Sequence, residues 1–159
     1  MKSSNQKVLD KLESLGIPVE IKFLDDDVRT AALAATALGC EISQIANSLI
    51  FRDLENDQAV LIMGAGGHRI DLERVTRLTG LNLGKANADF VREHTGFAIG
   101  GVPPVGHHQT LRTLLDSRLK NHDRLWAAAG TPESIFSMSA DDLQRMTSGE
   151  WLEIGSCDP

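Results

Sequence analysis

A chain of 159 residues has the length of one domain, 1–159, and at this size it needs neither a metal nor a disulfide to hold a core. Hydrophobic residues make up 42% and charged residues 24%, the composition of an ordinary soluble globular protein. The net charge of −6 argues against gripping a nucleic-acid backbone by bulk electrostatics, so no DNA partner is expected and an RNA would be held at a strand end.

The first predicted element is an amphipathic helix over Ser4–Leu15, in which Val8, Leu12 and Leu15 share a face and Gly16 ends it. Val19–Phe23 alternates apolar and polar residues, the period of a half-buried strand. Asp25–Asp27 reads as a charged turn, and Thr30 as the N-cap of an alanine-rich helix Ala31–Leu38 closed by Gly39. Ile45–Arg52 and Gln58–Met63 form a hairpin, with Gly64–Gly67 interrupting its second strand. Asp71 caps a short helix Leu72–Thr79 closed by Gly80, and Ala88–His94 forms another. Phe97–Val105 reads as a strand running into a constrained loop, and Thr110–Leu115 as a strand. A helix holding Trp126 is expected over Leu119–Ala129, a strand over Ser134–Met138, a helix capped by Ser139 over Ala140–Met146, and a last strand over Trp151–Ile154. Short helices interleaved with five or more strands, without a regular βα repeat, indicate a mixed α/β (α+β) domain.

Met1–Lys11 is polar, unlike a secretory signal, and the longest apolar runs are too short to span a bilayer. No membrane partner is expected. Cys40 and Cys157 lie far apart with no CxxC spacing, so the expected compartment is the reducing cytoplasm. His68 and His94 show no metal-ligand spacing to each other or to carboxylates, and no metal or other cofactor is expected.

The least ordinary segment is Gly96–His107, where Gly100-Gly101 and Pro103-Pro104 stand four residues apart end to end. Glycines let a ligand approach the backbone closely, and prolines stiffen the loop while removing donors. Such a loop suits polarising a carbonyl through preorganised N–H groups, and composition alone fits a tight turn at a sheet corner equally.

Residues Thr95–Gly106 resemble the GxxxP loop of the YbaK family, the editing-domain superfamily associated with bacterial prolyl-tRNA synthetase, with Gly100 and Pro104 as its Gly and Pro. Thr30–Gly39 is similar to the family's threonine-led helix, and Gln44–Phe51 to the strand that follows it. The order and spacing agree, and the resemblance runs from about Lys7 to the final strand. It implies a mixed, partly closed sheet flanked by helices. It also implies a trans-acting deacylase that hydrolyses the ester between a non-cognate amino acid and the terminal adenosine of a tRNA. By family analogy the substrate is tRNA for proline carrying a small residue, and an aminoacyl-tRNA synthetase is a further partner. The loop backbone at Gly100 and Gly101 would hold the aminoacyl group, with an RNA hydroxyl or a water in the chemistry. The sequence has no GxSxG, Cys–His pairing or HExxH to supply a nucleophile or metal instead.

One position departs from the pattern. Many members carry a lysine where Asn47 stands here. Asparagine offers a donor and an acceptor but no charge, so it hydrogen-bonds without acting as a cationic clamp. This implies either altered amino-acid specificity or weakened catalysis, and the intact loop favours the first. A non-catalytic module binding the aminoacyl-tRNA end or a free amino acid is the alternative.

The remaining substrate-binding candidates are Thr30, Ser48, Val102, Pro103, Pro104 and His107. Thr30 serves equally as a helix cap, and Ser48 as an ordinary sheet residue. His107 and His108 would face opposite ways in an extended chain, and His107 is the one assigned to the site. Lys85 reads as a solvated lysine or a contact to the terminal phosphates. Asp116 anchors a loop or a strand-end turn, and Trp126 and Trp151 are assigned to the core.

Overall fold

The computed structural model describes residues 1–24 and 30–156. The expected turn Asp25–Asp27 and Cys157 lie outside them. The chain runs α1 (Ser3–Ser14), β1 (Lys22–Phe23), α2 (Ala31–Leu38), β2 (Ala46–Asp53), β3 (Ala59–Ala65), α3 (Leu72–Thr79) and β4 (Leu83–Lys85). It continues through α4 (Ala88–Thr95), β5 (Arg112–Asp116), β6 (Leu125–Ala128), β7 (Ser134–Met138), α5 (Ala140–Thr147) and β8 (Glu150–Leu152).

The strands form a mixed five-stranded sheet in the order β4-β2-β3-β5-β8 and an antiparallel three-stranded sheet in the order β1-β7-β6. β2 is antiparallel to β3 and β4, while β3–β5 and β5–β8 are parallel. A bridge between Ile45 and Trp126 joins the two sheets. The result is the mixed α+β fold with flanking helices that the family resemblance implies, built on two open sheets.

The five-stranded sheet is apolar on both sides because its central strand β3, Ala59-Val-Leu-Ile-Met-Gly-Ala65, is buried at every residue. Successive side chains alternate faces. Leu61 and Met63 join a core with Leu12, Phe97, Phe136 and Leu143, while Val60 and Ile62 pack with Val75, Leu114 and Ile154 on the other face. α1 reaches the first core through Val8 and Leu12, the stripe read from the sequence.

Thr30, Asp71 and Ser139 cap their helices through side-chain acceptors, to Leu33, Arg74 and Asp142 N–H at 3.1–3.2 Å. Gly39 and Gly80 close α2 and α3 in the left-handed region.

Several expectations change. Leu119–Ala129 is not a helix: Ser117–Asn121 is a short 3-10 turn, and Leu125–Ala128 is β6, paired with β7 from Leu125↔Met138 to Ala128↔Ile135. Its alanines favour a helix locally, and sheet pairing overrides that preference. Phe97–Val105 contains no strand, since two prolines cannot donate to a ladder. The strand expected at Val19–Phe23 shrinks to β1, Gly64 stays inside β3, and β4 is an additional strand.

Asp116 closes the end of β5 and is fully buried. It accepts from Ala65 N–H at 3.0 Å, from Arg118 N–H at 3.1 Å and from the Arg118 guanidinium at 2.8 Å. Burial pulls its carboxyl upward, yet the Arg118 side chain, then the two amides and the Arg118 charge, hold it below the usual carboxylate range. Among the described residues no helix is long and apolar enough to cross a membrane, and no group of three or more acidic, His or Cys side chains could hold a metal.

Candidate active site

β2 pairs with β3 along almost its whole length on one side. On its other side β4 meets it only at Phe51–Asp53, and β6 touches it only through the Ile45–Trp126 bridge. No described strand covers Ser48–Ile50 there, which leaves main-chain donors and acceptors of alternate residues unladdered. The loop after α4 faces this gap.

That loop is shaped by its glycines. Gly101 N–H donates to Ala98 O at 3.0 Å, closing a β-turn in which Gly100, at φ 91°, takes the position that demands a positive φ. Gly101 lies against the backbone of Thr131, where a Cβ would come within 2.9 Å of the Thr131 Cα. Thr131 and Ser134 bond through their hydroxyls at 2.5 Å, and the buried Asn5 amide donates to Ser134 Oγ at 2.9 Å and Ala129 O at 2.8 Å. A polar side chain of α1 thus fixes the turn on which the loop rests.

Between loop, β2, β6 and the start of α2 lies a cavity of about 230 Å³. Thr30, Asn47, Ser48, Gly100 and Val102 are brought together on its wall, with Ala31, Ala34, Ile99, Trp126, Pro132 and Ile135 among its apolar lining. Its volume lies under the range of roughly 300–1,000 Å³ for drug-sized ligand sites, so it suits a single small group. None of its lining residues has a titratable side chain. Among the described residues the Asn47 side-chain amide and the backbone amides of Gly100 and Val102 have no protein hydrogen-bond partner. The wall therefore includes residues with three uncommitted donor groups, the kind of group that stabilises an oxyanion when aimed at it. Thr30 serves its helix as cap and lines the cavity at once, and Ser48 Oγ donates to the Met63 sulfur at 3.4 Å.

Gly101, Pro103, Pro104 and His107 are not on this wall. Pro104 and His107 line a separate cavity of about 580 Å³ beside α1 and α5. His107 Nε2 donates to Pro103 O at 2.7 Å, and its ring stands edge-on to Phe97 with centroids 6.2 Å apart. Burial lowers the His107 pKa, against a smaller opposing pull from the Pro103 carbonyl, so the imidazole is neutral at pH 7 and braces the loop from behind. His108 Nδ1 lies 3.4 Å from Glu93 O, away from the cavity. Cys40 packs beside α2, and burial raises its thiol pKa, which disfavours a thiolate nucleophile.

Sequence reasoning overlooked Ile99 and assigned Trp126 to the core. Ile99 left a signal, a large apolar residue at a glycine turn, and it is more than half exposed. Trp126 was concealed by the helical reading of its segment.

Residues 25–146 match the aminoacyl-tRNA editing domain family. The chain belongs to that family. An uncharacterised Bacillus subtilis (strain 168) protein, YwhH, is 32% identical over 126 residues, 79% of this chain and 80% of the relative. A solved structure described as a candidate trans-editing enzyme for prolyl-tRNA synthetase is 38% identical, with a TM-score of 0.91 over 98% of this chain and 99% of its own. The structure of a hypothetical protein, APE2540, is 25% identical, with a TM-score of 0.86 over 94% and 99%. In this editing domain the three segments that carry the family resemblance, α2, β2 and the glycine–proline loop, are distant in sequence and meet around one cavity.

Proposed function

We propose that the editing domain hydrolyses, in trans, the ester joining a small non-cognate amino acid to the 3′ end of tRNA for proline, clearing errors of prolyl-tRNA synthetase. The observation that carries this reading is the 230 Å³ cavity whose wall joins the free amides of Gly100 and Val102 to the unpaired Asn47 side chain. Family membership supports editing as the activity, and the description of the 38%-identical structure supports proline tRNA as the carrier.

The aminoacyl group enters the cavity and its carbonyl oxygen accepts from the loop amides. Water, oriented by Asn47 or by the vicinal ribose hydroxyl, adds to the carbonyl carbon. The tetrahedral oxyanion is held by the same amides, each such donor being worth roughly 3–4 kcal/mol of transition-state stabilisation. Collapse breaks the bond to the ribose oxygen, which takes the proton from the attacking water, releasing free amino acid and tRNA. An ester is already activated, so positioning and polarisation suffice without a nucleophilic side chain.

Two results test this. Against a panel of mischarged tRNAs, the protein is expected to hydrolyse alanyl-, seryl- or threonyl-tRNA for proline and to spare the prolyl form. With no ionisable side chain in the cavity, kcat should show no enzyme-derived bell between pH 6 and 8, on the general criterion that such bells report an essential acid and base. Saturable binding of mischarged tRNA with no hydrolysis above buffer would reassign the cavity to a binding module.

A further inference from the structure

The hollow of about 580 Å³ between α1, α5 and the segment Pro104–His107 shares no lining residue with the aminoacyl cavity, and the proposed chemistry does not use it. Its charged lining is Lys7, Asp10 and Lys11 from α1 and Arg145 from α5. Asp10 is turned to Gln6, whose amide donates to it at 2.8 Å, and Arg145 reaches Asp142 at 3.1 Å. Lys7 and Lys11 are exposed and have no ion-pair partner among the described residues. They stand four residues apart on one helix face, a like-charge spacing that destabilises a helix unless something neutralises it. Lys7 Nζ lies 5.7 Å from the centroid of the Phe97 ring, and His107 stands edge-on to the same ring, so ammonium and imidazole converge there. Gly106 seats the loop directly on α1, since a Cβ at that position would lie 3.5 Å from Lys7 O. The cationic face of α1 and the back of the loop are thus held together.

We infer that this hollow is an anion site for a phosphate group, held by Lys7 and Lys11 with His107 as the third donor. It does not depend on the editing reading of the first cavity. Separate donors on α1 and the loop suit an anion with several acceptor oxygens. His107 Nε2 is committed to Pro103 O, and its Nδ1 has no partner among the described residues. In the neutral ring that Nδ1 is an acceptor, which an anion repels. Phosphate therefore binds with uptake of a proton at Nδ1, and the ring becomes a donor at both nitrogens. Burial keeps the empty ring neutral, so the proton arrives with the anion that stabilises it. The charged ring also donates more strongly to Pro103 O, and occupancy tightens the loop that carries the Gly100 amide. Of the other groups facing the ring, Asp10 opposes the anion and Arg145 favours it, β5 contributes only the neutral Thr113, and His108 turns to Glu93 O at 3.4 Å. The same chemistry is offered by a free phosphate compound and by the backbone of an RNA.

The probe is inorganic pyrophosphate, titrated onto the whole protein by NMR or calorimetry at constant ionic strength. It should bind saturably, and Lys7→Met and Lys11→Met, which keep the aliphatic stems, should each weaken it about 3- to 10-fold. The His107 imidazole titration should move upward when pyrophosphate is present. Between about pH 8 and pH 6 the affinity should rise by more in the protein than in His107→Gln, the ligand's own protonation being common to both. A merely structural role for His107 would not produce that difference. Unacylated tRNA separates the two sources: displacement of pyrophosphate assigns the site to an RNA backbone, and binding alongside the tRNA assigns it to a free phosphate compound. No saturable binding, or binding unaltered when both lysines are replaced, overturns the site. None of these readouts involves deacylation, so the site and the editing reading stand or fall separately.

Discussion

His107 and Asp116 carry the two shifted pKa values that bear on the fold near the site, and neither touches the aminoacyl cavity. Because burial depresses the His107 pKa, the folded chain binds this proton less readily than the unfolded chain, whose value is about 6.5. Its contribution is therefore fully present above about 6.5 and declines as pH falls through that value toward the folded pKa. Asp116 is also depressed, so its contribution is present above about 3.9 and is lost as pH falls through its lower folded value. Stability followed by urea unfolding should accordingly fall in two separate acid steps. His107→Gln should remove the upper step only. Asp116→Asn leaves the Arg118 guanidinium without its buried partner and should cost about 3 kcal/mol at pH 7. The sequence told that His107 neighbours the loop but not which way it faces, because an extended-chain argument for His107 and His108 does not hold in a loop bent at Gly106, at φ 87°.

At the scale of elements, the caps were legible because each is a local contract between a side chain and an amide three residues on, as Thr30, Asp71 and Ser139 show. The β2–β3 hairpin was legible for a similar reason, two apolar runs across a short polar turn. β6 was not, because Leu125–Ala128 gains its strand form from β7, which begins six residues after it ends, and nothing within the segment announces that pairing. Nor did α1 reveal that Asn5, within its amphipathic stripe, reaches across to the 129–134 turn. Asn5→Ala should leave Ala129 O and the Thr131–Ser134 hydroxyl pair less well partnered and lower unfolding free energy by about 1–3 kcal/mol. Chemical denaturation gives that number. A cost near zero would show that the turn beneath Gly101 holds itself.

At the scale of the whole molecule, the sequence conveyed the mixed fold and the segments that surround the cavity, since motif order survives without any knowledge of distance. It did not convey the gap along β2, which exists because β4 and β6 each meet that strand near one end, a property of sheet assembly. The proposed function asks only for the end of an RNA and the group attached to it, which suits a small cavity in an acidic chain. The proposed chemistry turns on the loop amides at Gly100 and Val102, which polarise the ester. Its most direct test is single-turnover deacylation of alanyl-tRNA for proline by the protein and by Gly100→Ala, with folding of both confirmed by circular dichroism. An alanine is strained at φ 91°, so the turn must shift and carry the amide off the carbonyl. The rate should fall at least about 100-fold, the loss associated with one oxyanion donor. A folded Gly100→Ala protein that deacylates at the unaltered rate would contradict the proposed chemistry.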